Sequence, residues 1–154
     1  MDKCMLLSGS DNECAAARSG TFIYHHAVII PPPLEVDSTI LTAILIFNAA
    51  LAHHELAEHS LCYRTRLLER AKQLYELAYD SCDLEQNLLF QFAFINNIAV
   101  IEREIGIFSN ANEYFDYLMS LIILFVDRGC DLRLRHFKGC VANIPLPMRN
   151  APAA

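Results

Sequence analysis

An all-α fold is predicted by three features of the chain. Residues 34 to 144 contain no proline, residues 21 to 105 contain no glycine, and apolar side chains recur there at helical spacing. Proline and glycine each penalise a helix interior, so their joint absence leaves long helices joined by tight turns. Of 154 residues, 54% are hydrophobic and 19% charged, whereas soluble domains usually carry about 45 to 50% apolar and about 25% charged residues. One compact domain with a sizeable core is expected, disorder throughout is excluded, and some apolar surface is expected to meet a partner.

Each element has a local reason. Residues 1–19 are small and polar and are expected to be flexible. Residues 20–37 form an expected strap: Thr21 to Ile30 are rich in β-branched and aromatic residues, and Pro31, Pro32 and Pro33 favour extended geometry. Asp37 or Ser38 can cap a first helix running to about Ala57. Ser60 can cap a second, in which Leu61, Leu68, Tyr75 and Cys82 repeat every seven residues with Ala71 and Ala78 between them. Asp83 and Gln86 have capping-box form ahead of a third helix, which Gly106 ends as a C′ residue. Ser109 starts the fourth, stopped by Gly129, and Asp131 begins a fifth, through Phe137 to about Ile144. The helical domain is thus placed at 38–144, with a disordered tail over 145–154.

Self-comparison adds an architecture. Ile46 to Ala57 reads IFNAALAHHELA and Ile95 to Gly106 reads INNIAVIEREIG, sharing Ile, Asn, Ala and Glu in register. AKQLYELAYD from Ala71 likewise matches ANEYFDYLMS from Ala111, so the first unit carries a longer connection between its halves. A longer second helix and turn are expected to absorb it.

These residues resemble the tetratricopeptide repeat (TPR). Ile46, Ala50, Ala71, Tyr75 and Ala78 fit its pattern in the first unit, and Ile95, Ala99, Ala111, Phe115 and Leu118 fit in the second. Small residues let paired helices approach closely, and the aromatic fills the wedge beside them. His53 and Glu102 stand where the family has Tyr, and Leu118 where it prefers Ala. The resemblance implies two antiparallel hairpins completed by a capping helix, and a concave groove lined by the first helix of each. Its expected partner-binding residues are Ile44, Phe47, Leu51, His54, Asn96, Val100 and Arg103, with Asn48 and Asn97 retaining the asparagines. Phe47 and Leu51 replace the Lys and Asn of the carboxylate-clamp variety, so chaperone tails are not the expected ligand.

Chemistry-bearing motifs are weak by comparison. In HHELAEH, His53 to His59, the histidines His54 and His59 are five apart, about 140° round a helix, so they do not share one ion without distortion. His25 and His26 lie in the extended section with alternating directions. No nucleophile elbow or phosphate loop is present. Six scattered cysteines without CxxC suggest free thiols in a reducing compartment, with Cys62 and Cys82 as small core residues and Cys130 and Cys140 able to pair if oxidised. The clusters Arg64, Arg66, Arg70, Lys72 and Arg133, Arg135, His136, Lys138 are expected to be solvated faces. A formal charge of −6, from 12 Lys+Arg and 18 Asp+Glu, opposes nucleic-acid binding.

The apolar runs Ile40 to Ala52, Leu88 to Ile101 and Tyr117 to Val126 fall short of the roughly 20 residues of a bilayer span. Lys3 is followed by only four apolar residues before Ser8, so no secretory signal is expected. The sequence therefore predicts an intracellular, cytoplasmic, non-enzymatic protein without cofactor, acting as an adaptor or scaffold that binds a protein or peptide or a second copy of itself. The alternatives are a subunit of a larger, membrane-associated complex and a His- or Cys-dependent hydrolase or metalloprotein.

Overall fold

The computed structural model describes residue 24, residues 27–28, 37–81, 88–127 and 135–145. Among these described residues five helices pack together: α1 (Ser38–His59), α2 (Arg64–Asp80), α3 (Leu88–Glu104), α4 (Phe108–Asp127) and α5 (Arg135–Asn143). Among the described residues there is no strand. α1 lies along α2 and α3 along α4, α2 meets α3, and α5 closes against α3 and α4.

Two of the expected caps act where the sequence placed them. Asp37 accepts hydrogen bonds from the Thr39 N–H and hydroxyl, both at 2.8 Å, at the start of α1. At the end of α3, Gly106 adopts φ +88°. The Gly106 N–H donates to the Arg103 carbonyl and the Ile107 N–H to that of Glu102, which satisfies two terminal carbonyls and turns the chain into α4. α4 begins at Phe108, one residue before Ser109, and ends before Gly129. The capping pair Asp83 and Gln86, the start at Asp131, His25 and His26, and residues 1–19 and 146–154 lie outside the described residues.

The second helix begins later than expected. Ser60 is the C-cap of α1, its N–H donating to the Ala57 carbonyl, and α2 starts at Arg64 behind a Tyr63 cap that makes no side-chain bond. Leu61, counted above in the apolar stripe, and Cys62, counted as core, are therefore both exposed in the intervening turn. The longer connection of the first unit is also shared differently. From Ile46 and Ile95 onward, α1 outruns α3 by four residues, the turn is one residue longer, and α2 leads Ala71 by four more residues than α4 leads Ala111. The first hairpin is thus about one helical turn taller in both arms.

The core runs through α3, where every residue from Phe90 to Glu102 is buried. The Phe47 ring on α1 sits at its centre, 5.3 Å from Tyr75, 5.4 Å from Phe90 and 5.2 Å edge-on from Phe94. Small residues line both hairpin contacts: Ala50, Ala71 and Ala99 are completely buried and Ala111 nearly so. α1 carries apolar residues around its whole circumference, leaving Leu41, Leu45 and Leu56 exposed on the side away from α2. By length and composition alone it is apolar enough to cross a membrane, a property that core helices of soluble proteins share.

Candidate functional site

Two asparagines at matching places, Asn48 on α1 and Asn97 on α3, hold the N-terminal segment by its main chain. Asn48 Oδ1 accepts the Val28 N–H at 2.9 Å while its Nδ2 donates to the Val28 carbonyl at 3.1 Å. Asn97 does the same for Tyr24, at 2.9 and 3.3 Å. One side-chain amide reaches the N–H and C=O of a single residue only when both point to the same side, as they do in extended backbone. Tyr24 and Val28 are both buried, and Ala27 between them is exposed.

A polar network fixes the inner clamp. Asn97 Nδ2 also donates to the Tyr75 hydroxyl (3.1 Å), and Asn96 Nδ2 donates to Asn97 Oδ1 (3.2 Å). Asn143 of α5 donates to Asn96 Oδ1 at 2.8 Å, and Arg103 Nη1 donates to the Asn143 carbonyl at 3.1 Å. Cys140, also on α5, donates its thiol to the Tyr24 hydroxyl at 3.4 Å. Burial pushes that thiol up to about 12, so it stays protonated as a donor. Burial likewise raises Tyr75, which remains a neutral phenol under Asn97.

Of the seven residues assigned to the groove from sequence, Ile44, Phe47, Leu51, His54, Asn96 and Val100 are buried, and Arg103 is half-buried. Phe47 and His54 face the α1–α2 contact and Asn96 joins the network, while Arg103 lies over the Phe115 ring at 5.3 Å. Tyr24, Val28 and Asn143 carry the site and were not singled out from sequence, and Cys140 was noted there only for its ability to pair with Cys130. The matching positions of Asn48 and Asn97 were the one available signal.

The basic cluster on α2 divides. Arg66 and Arg70 are exposed, but Arg64 pairs with Glu104 at 2.8 Å and Lys72 pairs with Glu102, joining α2 to α3. Burial opposes charge on Lys72, yet the hydrogen bond it donates to Glu102 and the carboxylate of Glu76 hold its ammonium above the usual lysine range. Burial raises the Glu104 carboxyl despite Arg64. A separate cleft of about 310 Å³ lies between α2, α3 and α4, lined by Glu76, Asp80 and the tyrosines 79, 114 and 117 over Ile95 and Ile98. The side chains of the second basic cluster lie outside the described residues.

His54 is fully buried against the Tyr75 ring, and neither ring nitrogen has a hydrogen-bond partner. Among the described residues no group of three or more His, Cys, Asp or Glu is placed to hold a metal. Burial, helped by the charge on Arg64, lowers the imidazole from 6.5 to about 4. The native state thus refuses a proton that the unfolded chain accepts, so stability is complete above pH 6.5 and falls as pH drops toward 4. The loss attributable to His54 should reach about 3 kcal/mol at pH 4. Urea midpoints across this range should fall more steeply for the wild type than for His54→Leu; parallel curves would refute the assignment.

No family model, no curated protein and no solved structure matches this chain.

Proposed function

We propose that the protein is a non-enzymatic TPR-like interaction module, an adaptor or scaffold that holds an extended peptide of a partner or of a second copy along α1 and α3. The observation that carries this reading is the pair of amide clamps. Asn48 and Asn97 occupy equivalent positions in the two sequence units and grip main chain in the same two-bond manner. Main-chain pairing of this kind accepts extended segments of varied sequence, as strand-addition sites do.

Other equivalences support two related hairpins. His54 sits against Tyr75 as Arg103 sits against Phe115, and these four residues occupy matching positions in the two units. Two hairpins are fewer than the three repeats that usually bury a continuous core. The strap and α5 supply the missing cover, one across α1 and α3 and the other over α3 and α4.

The test is a display selection of random peptides on the immobilised full chain. Selected peptides should lose at least tenfold in affinity for Asn48→Asp, which keeps the acceptor and removes the donor, while circular dichroism stays unchanged. Binders indifferent to this substitution and to Asn97→Asp would refute the groove.

A second reading, membership of a larger assembly, is favoured by the exposed stripe Leu41, Leu45 and Leu56 on α1. Sedimentation should then show self-association that Leu45→Glu abolishes. A monomer at all concentrations, with no partner lost on Leu45→Glu, would reject it.

A further inference from the structure

We propose that the cleft between α2, α3 and α4 is a binding site for a methylated ammonium group, held by tyrosine rings and carboxylates. The site shares no residue with the clamps at Asn48 and Asn97, so it goes beyond the groove reading and stands or falls apart from it.

Each of the three helices contributes one stripe to the lining. Glu76, Tyr79 and Asp80 follow one another at i, i+3 and i+4 on α2, while Tyr114 with Tyr117, and Ile95 with Ile98, stand three apart on α4 and α3. The two isoleucines are buried, Tyr79 and Tyr114 are half-buried, and Tyr117 is exposed. The lining is therefore aliphatic on the α3 side and aromatic on the other two, where a ligand can reach it. Tyr79 and Tyr117 interact through their hydroxyls, which links α2 to α4. The volume of about 310 Å³ lies at the low end of the roughly 300 to 1,000 Å³ of small-molecule sites and suits a compact head group.

The charge of the lining chooses the sign of the occupant. Glu76 and Asp80 line the cleft and no basic residue does. Lys72 comes within 3.7 Å of Glu76 but makes its closer contact to Glu102. Around Tyr114 the carboxylates of Glu76, Glu102 and Glu113 outweigh that ammonium, so charge adds to burial in holding the phenol above its ordinary range. α2 ends at Asp80 with no basic side chain in its last turn, so the negative end of the helix dipole reinforces the carboxylate. A field that resists a phenolate resists other anions and attracts a cation.

Among cations the lining favours a weakly hydrated one. A metal ion needs an array of oxygen or nitrogen ligands, and among the described residues no group of three or more His, Cys, Asp or Glu is placed to hold one. A methylated ammonium gives up its water more readily, is attracted to aromatic faces, and packs its methyl groups on aliphatic side chains such as Ile95 and Ile98. Free amines of the choline type and methylated lysine side chains both carry this head group.

The experiment titrates the full chain, at matched ionic strength, with choline, with its neutral carbon isostere dimethylbutanol, and with a short peptide bearing trimethyl-lysine. Choline should saturate the site with a midpoint on the order of 1 mM, and its N-methyl proton resonance should move upfield in the ring currents of the tyrosines. The isostere should bind at least about tenfold more weakly. Asp80→Asn and Tyr117→Leu alter exposed residues, and each should weaken choline at least about threefold with circular dichroism unchanged. Tyr117→Phe keeps the ring and should stay within about twofold of the wild type. Tighter binding of the peptide than of choline would assign the head group to a partner's lysine, and the reverse to a free amine. Equal binding of choline and its isostere would overturn the proposal. So would a choline site indifferent to both Asp80→Asn and Tyr117→Leu, or no saturation by about 50 mM. The isostere comparison and the upfield shift are read on the wild type and decide the matter even if a variant fails to fold.

Discussion

Lys72→Met should destabilise the protein by about 3 to 5 kcal/mol at pH 7, the cost of leaving a buried carboxylate without its partner. The Glu102 side chain is 1% exposed and pairs with Lys72 Nζ across the α2–α3 contact. Its Oε1 also accepts a long bond, 3.4 Å, from Asn110, and its Oε2 has no partner. Asn110 carries no charge to replace the ammonium once it is gone. Adding Glu102→Gln should recover most of the loss, because an uncharged amide no longer demands a counter-ion. Urea unfolding of the single and double variants at pH 7 measures both. A loss below about 1 kcal/mol would mean the pair is as weak as a surface one.

Asn97→Ala should cost about 2 to 4 kcal/mol, and Asn48→Ala nearer 1 kcal/mol, because an unmade hydrogen bond is expensive chiefly where water cannot replace it. Asn97 is completely buried and serves the Tyr24 N–H and carbonyl, the Tyr75 hydroxyl and Asn96. Asn48 makes the same main-chain pair in a half-buried setting where water can enter. Amide exchange should separate the two. Asn97→Ala should expose the Tyr24 N–H to exchange, and Asn48→Ala should expose that of Val28 first. Equal costs, or protection unchanged in both, would contradict the clamp geometry.

The helices were legible because their signals are local. Missing proline, the Asp37 cap and the Gly106 turn each act within a few residues, and the structure realises all three. The start of the second helix misled because Ser60 is chemically a good N-cap. It ends α1 instead, since the taller hairpin carries both helices past the point where the sequence units match. The site was less legible. Phe47 and His54 read as groove residues through spacing alone, but α3 brings Phe90 and Phe94 onto Phe47, and Tyr75 of α2 covers His54. α3 is apolar nearly throughout, so no periodicity distinguishes its outer face from its inner one. Asn48 and Asn97 stood out as a matched pair, yet their target was invisible, because a side-chain amide bonded to distant main chain leaves no pattern in either segment.

The contact between Tyr24 and Cys140 ties two positions 116 residues apart. A stack of hairpins touching only their neighbours can unravel piece by piece from either end. Here a residue ahead of α1 finds one of its partners in α5, so a chain cut before α5 lacks that latch. Ring closure of this length slows folding and welds the array into one cooperative unit.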